Sequence, residues 1–126
     1  MNKKAHIGVI GLGYGAYMHL PVYQSLPDVE VTAIADSGLN KPSETIRNSG
    51  DIGKYRSWKE IINDRNIDAV SIAVPPFEQK KIVCAALSAG KHVLCEKPFG
   101  MNYMDAKEMY ELAKGSSLVN AVGFQF

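Results

Sequence analysis

Three glycines and a small residue stand close together near the amino terminus, in Gly11-Leu12-Gly13-Tyr14-Gly15-Ala16. The spacing Gly11-x-Gly13-x-x-Ala16 suits a backbone that holds a pyrophosphate. Gly11 permits a tight turn out of a strand. Gly13, lacking a Cβ, lets phosphate oxygens come close to the main chain. Ala16 allows a following helix to pack tightly on the strand. The unpaired N–H groups of that helix's first turn, together with its dipole, favour an anion. Asp36 lies 25 residues after Gly11, at the end of a second apolar run. A carboxylate there can accept hydrogen bonds from adenosine ribose hydroxyls. The same glycines could also serve a bare strand-to-helix turn, and Asp36-Ser37-Gly38 is a good turn sequence in its own right. The two readings of Asp36 are compatible, because a ribose carboxylate sits at a strand end.

These residues need a scaffold, and the apolar pattern supplies one. His6–Ile10, Val29–Ala35, Ala69–Val74, His92–Cys95 and Leu118–Phe124 read as strands, with a short one over Lys54–Arg56. The near-continuous apolar run at Ala69–Val74 predicts burial on both faces. Helices are expected over Gly15–Leu26, broken near Leu20 by Pro21, and over Pro42–Ser49. A third follows Ser57, which with Glu60 has the capping-box spacing. A fourth covers Phe77–Ala89, ended by Gly90 in a left-handed cap. A fifth covers Tyr103–Lys114, capped by Asn102. Strands alternating with helices imply parallel pairing through right-handed crossovers. The reading is an α/β, doubly wound, mainly parallel six-stranded sheet in the order 3-2-1-4-5-6, a Rossmann-type fold with helices on both faces. Its ligand would lie across the carboxyl ends of the strands. The loops there are Gly11–Ala16, Asp36–Gly38, Pro75–Gln79 and Glu96–Pro98.

Bulk properties narrow the function. A chain of 126 residues with 46% hydrophobic content forms one domain with a real core. Its net charge of +1 gives no field to attract nucleic acid or an anionic membrane. No apolar run reaches the ~18–20 residues that span a bilayer. Met1-Asn2-Lys3-Lys4 runs into the first strand without the apolar region of a signal peptide. Two cysteines, Cys84 and Cys95, suggest neither a disulfide framework nor a metal site, and the expected location is cytoplasmic.

Gly90-Lys91-His92-Val93-Leu94-Cys95-Glu96-Lys97-Pro98 closely resembles a signature of the Gfo/Idh/MocA oxidoreductases, the glucose–fructose oxidoreductase and inositol dehydrogenase family. The resemblance extends over nearly the whole chain. Ile7–Ala16 is similar to that family's first strand and phosphate loop, and His19 to a histidine of its first helix. Asp68–Pro75 is similar to its fourth strand, and Val122-Gly123-Phe124 to the last strand of its nucleotide domain. The resemblance implies that Gly11, Leu12, Gly13 and Tyr14 line the pyrophosphate and that Asp36 holds the adenosine ribose. Val74 and Pro75 would pass under the cofactor, and Glu96 would contact the ribose on the nicotinamide side. Lys97 would be the catalytic residue, hydrogen-bonding the substrate hydroxyl and stabilising a developing alkoxide. Pro98 would be cis and fix its direction.

The implied function is hydride transfer between a nicotinamide cofactor, NAD with NADP possible, and a sugar, polyol or related hydroxy compound. Asp36 argues for NAD, since it would repel a 2′-phosphate and no arginine follows it immediately; Lys41 is the nearest counter-charge in sequence. Two departures stand out. Gln79 occupies a position where the family usually has histidine. Residues 1–126 also match only an NAD(P)-binding domain, so the family's C-terminal substrate domain, with its general base, is expected to be absent. The chain alone is then expected to be inactive and, with apolar surface near Phe99, Met101 and Leu118–Phe126, to form a homo-oligomer. The alternative is a stand-alone NAD(H)-binding or interaction module without catalysis.

Overall fold

The computed structural model describes residues 3–11, 13, 18–36 and 50–123. Leu12, Tyr14 and Ala16, the helix expected at 42–49 and the last three residues lie outside them. Six strands form one sheet: β1 (Ala5–Ile10), β2 (Val29–Ala35), β3 (Gly53–Tyr55), β4 (Ala69–Ile72), β5 (His92–Glu96) and β6 (Asn120–Gly123). Their order is β3-β2-β1-β4-β5-β6, and every neighbouring pair is parallel. This is the expected order.

Side chains alternate across the strands, interrupted in β2 where the pairing with β1 shifts register between Ile7 and Gly8, so the sheet builds two cores. On one face Ile10, Ala33, Val70, Ile72, Val93 and Cys95 pack under α2 (Trp58–Ile62), α3 (Pro76–Ser88) and α4 (Tyr103–Lys114). On the other, Val9, Val31 and Ile34 pack with Leu20 of α1 (Leu20–Ser25). Ser71, between Val70 and Ile72, is therefore directed to the α1 face, and Glu96, next to Cys95, follows it there.

Local signals set the helix limits. Pro21 sits in the first turn of α1, where its missing N–H costs nothing, and Met18 and His19 precede it in a wider turn. Ser57 caps α2 by accepting from Lys59 N–H at 3.2 Å, one residue earlier than the capping-box pattern. Gly90, at φ +80°, ends α3: its N–H donates to Leu87 O, and that of Lys91 donates to Ala86 O. Asn102 Oδ1 accepts from Asp105 N–H at 2.9 Å, starting α4 where expected.

Two strands are shorter than the apolar runs suggest. After Ile72 the ladder makes one more bond, Ala73 N–H to Ile10 O, before Pro75 and Pro76 turn the chain into α3. Before Asn120, Leu118 N–H is taken by Ser116 Oγ and Val119 N–H by His92 Nδ1. Side chains thus satisfy backbone groups that the sequence pattern assigns to the strand.

Lys91 is buried in the same region, its Nζ donating to Asp64 O and Ile67 O, both at 2.6 Å. Burial lowers its pKa, against the opposing pull of Asp64 and Asp68.

Ile72 is fully buried at the centre of the larger core. Ile72→Ala should lower the unfolding free energy by about 2–5 kcal/mol, read from urea denaturation. Burial, with a smaller push from Glu96, raises the Cys95 thiol from 9.0 to about 12. The folded state therefore holds this proton where the unfolded chain releases it. The resulting stability is intact below pH 9 and is lost between pH 9 and about 12. Urea midpoints measured across that window should fall more steeply for wild type than for Cys95→Ala.

Candidate cofactor-binding site

β1, β2 and β4 end side by side, and the first expected loop leaves β1 between the other two. Gly11 N–H donates to Ala35 O at 2.9 Å. Its φ is +89°, and an added Cβ would press against the Ala73 carbonyl and meet Val74 Cγ1 at 3.0 Å. Only glycine satisfies both the dihedral angle and the contact. Gly13 differs, because nothing lies within 4 Å of a Cβ placed there. Its freedom is toward open space, on a surface that a side chain would fill. A tight turn followed by an open, Cβ-free approach fits a pyrophosphate.

A cavity of about 230 Å³ adjoins this turn, and Gly11, Asp36, Arg56, Trp58, Val74 and Glu78 are on its wall. It is smaller than the ~300–1,000 Å³ of pockets that enclose a whole drug-sized ligand. The cavity has room for a group of about nucleoside size. The structure thus brings together Gly11, Asp36 and Val74, contributed by β1, β2 and β4. Pro75 is exposed and precedes the first residue of α3. Arg56, Trp58 and Glu78 have no role in the sequence reading. Only the β2–β3 pairing and the start of α3 bring them to this wall.

The second group gathers at the end of β5. Lys97 and Pro98 are exposed, and the peptide between them is cis, as the resemblance implies. Glu96 instead points inward and is 8% exposed. Its Oε1 lies 2.7 Å from His19 Nε2. His19 Nδ1 meets Ser71 Oγ, which also accepts from Tyr23 O–H at 3.1 Å. These contacts form one buried chain, Tyr23–Ser71–His19–Glu96, in which Tyr23 O–H donates to Ser71 and the roles of the two ring nitrogens follow the tautomer of His19. Burial raises the Tyr23 phenol, and the Glu96 carboxylate adds to that rise, while the bond to Ser71 opposes it.

Gln79 holds the same turn from the other side. It is fully buried. Its Nε2 donates to Glu96 O at 2.9 Å and makes a longer contact, 3.5 Å, with Val74 O. Its Oε1 accepts from Gly100 N–H at 2.7 Å. A single amide therefore ties the ends of β4 and β5 and the loop beyond Pro98. Sequence reasoning marks Gln79 only as a departure from a pattern, and assigns His19 no task. The separations, 77 residues for His19–Glu96 and 21 for Gln79–Gly100, hide both contacts.

Comparison with known proteins agrees with the fold and its family. The family model for Gfo/Idh/MocA, described as an oxidoreductase family with an NAD-binding Rossmann fold, matches residues 5–124. Myo-inositol 2-dehydrogenase of Thermotoga maritima is 33% identical over 94% of this chain and 35% of its own length. Levoglucosan dehydrogenase of Pseudarthrobacter phenanthrenivorans is 31% identical over 98% of this chain and 34% of its own. Among solved structures, an NAD-binding protein from Listeria innocua superposes with a TM-score of 0.79 at 30% identity, covering 96% of this chain and 34% of that one. A variant of KijD10, a 3-ketoreductase from Actinomadura kijaniata solved with TDP-benzene and NADP, gives 0.81 at 26% identity, over 92% and 37%. The chain spans about a third of the length of the curated relatives it matches. It belongs to the Gfo/Idh/MocA oxidoreductases and carries their NAD-binding Rossmann domain.

Proposed function

We propose that this domain binds the cofactor of a dehydrogenase acting on a sugar, polyol or related hydroxy compound, with Lys97 as its catalytic residue. The observation that carries the reading is the open approach at Gly13 beside the Gly11 turn and the Asp36 cavity. Gly11, Leu12, Gly13, Tyr14 and Ala16 hold the pyrophosphate in this reading. Asp36 accepts from the adenosine ribose, and Val74 and Pro75 lie beneath the cofactor. When bound, the nicotinamide exchanges a hydride with the substrate carbon.

The chain's own part is placement. Lys97 leaves β5 on a turn held by buried groups, and its exposed ammonium can hydrogen-bond a substrate oxygen and stabilise charge developing there. His19 and Gln79 support this by fixing the side chain and the carbonyl of Glu96. The inward pairing of Glu96 favours a role in positioning Lys97, with any ribose contact made from the edge of that buried pair.

The substrate class rests on relatives three times as long as this chain. Residues 1–126 alone are therefore expected to bind the cofactor without oxidising polyols. A cytoplasmic location is part of the proposal and is supported by two free cysteines. Self-association is proposed from the exposed Phe77, Met101, Tyr103 and Met104; Phe99, expected on that surface, is half-buried against the larger core. No helix among the described residues is long and apolar enough to cross a membrane.

Gly13→Val would put a branched side chain into the open approach and should abolish NADH binding in a fluorescence titration. Equal titration curves for variant and wild type would refute the dinucleotide reading. Gln79→Leu keeps the volume but leaves Gly100 N–H without its acceptor. It should cost about 1–3 kcal/mol in urea unfolding and weaken NADH binding less than Gly13→Val does. Unchanged stability would remove Gln79 from the proposed support.

A further inference from the structure

Asp36, taken with its neighbours in sequence, argues for a cofactor with a free 2′-hydroxyl. The tertiary structure adds a charge that this argument lacks. β2 and β3 are parallel neighbours with Ala35 opposite Tyr55, and Asp36 N–H donates to Tyr55 O at 3.0 Å. Asp36 and Arg56 are the next residues along these two strands. They are 20 apart in sequence, yet both line the cavity beside Gly11. Arg56 lies at the exposed side of that cavity, and Asp36 is half-buried.

We propose that Arg56 is a cofactor-specificity residue that admits a 2′-phosphate, so that the cavity accepts both NAD and NADP. The inference rests on the dinucleotide reading above. Asp36 serves the hydroxyl form and Arg56 the phosphorylated one. A guanidinium presents a planar fork of N–H donors that matches phosphate oxygens and keeps its charge at any physiological pH. It is also needed electrostatically. The cavity wall carries two carboxylates, Asp36 and Glu78. A phosphate bearing about −1.5 to −2 charge would be repelled by both without a cation beside them.

Trp58, the chain's single tryptophan, lies on the same wall, and its emission reports occupancy directly. The test titrates the 126-residue chain with AMP and with adenosine 2′,5′-bisphosphate, following Trp58 fluorescence. NADH and NADPH titrations run in parallel, with wild type, Arg56→Gln and Arg56→Lys. Wild type should bind both nucleotides. Arg56→Gln should weaken the bisphosphate at least about tenfold and AMP less than twofold. Arg56→Lys should retain part of the bisphosphate affinity. Added salt should erode the bisphosphate advantage in wild type more than in Arg56→Gln. An unchanged bisphosphate-to-AMP ratio in Arg56→Gln, or a wild type that binds AMP and rejects the bisphosphate, overturns this inference and leaves NAD binding intact. Failure of wild type to bind any of the four ligands overturns both readings.

Discussion

Between β1 and β4 the sheet changes the direction in which strands are added, and the rest of the molecule follows from that change. Successive strands before it extend toward β3, and those after it toward β6. Right-handed crossovers then send the connecting helices to opposite faces, as α1 and the α2–α3–α4 group are here. The loops leaving β1 and β4 must part, and a crevice opens at the carboxyl ends of these strands. Gly11 is the tightest point of that crevice, pressed between the Ala35 and Ala73 carbonyls. Of the described residues assigned to the cofactor, Gly11, Asp36 and Val74 line the adjoining cavity.

A second constraint comes from sheet parity. The larger core takes Val70, Ile72, Val93 and Cys95, so the residues between and beyond them face α1. Two of those are polar, Ser71 and Glu96. Burying a hydroxyl and a carboxylate is costly unless they find partners. His19 and Tyr23, delivered by the start of α1, are among the partners. The same bonds that make the burial tolerable fix the strand end from which Lys97 projects. Gln79 completes this from α3, joining backbone groups at the ends of β4 and β5 and in the loop beyond Pro98. The support of the proposed catalytic turn is thus built from the polar remainder of two strands whose apolar residues face the other way.

Legibility follows the range of each signal. The Gly90 and Asn102 caps depend on short patterns that the sequence contains whole, and strand order follows from the alternation of strands with helices; the cis peptide at Pro98 is implied by the family resemblance. The limits of β4 and β6 differ from the apolar runs: Pro75 and Pro76 turn the chain away soon after Ile72, and Ser116 and His92 take backbone bonds before Asn120 that the apolar pattern gives to the ladder. In the site, Gly11, Asp36 and Val74 are readable because the fold repeats one geometry around the phosphate loop. The tasks of His19, Gln79 and Arg56 are not, since each depends on a neighbour brought up by another strand or helix.

The sequence by itself therefore determined the class of fold, the crevice and the family to which the chain belongs. Apolar periodicity and glycine placement are local properties that specify each element before the elements meet. Tertiary structure alone decided that Glu96 turns inward to His19, that Gln79 binds two strand ends, and that Arg56 stands beside Asp36. Hydrogen bonds and charges act over a few ångströms of space, and only parallel pairing brings residues 20 to 77 positions apart within that reach.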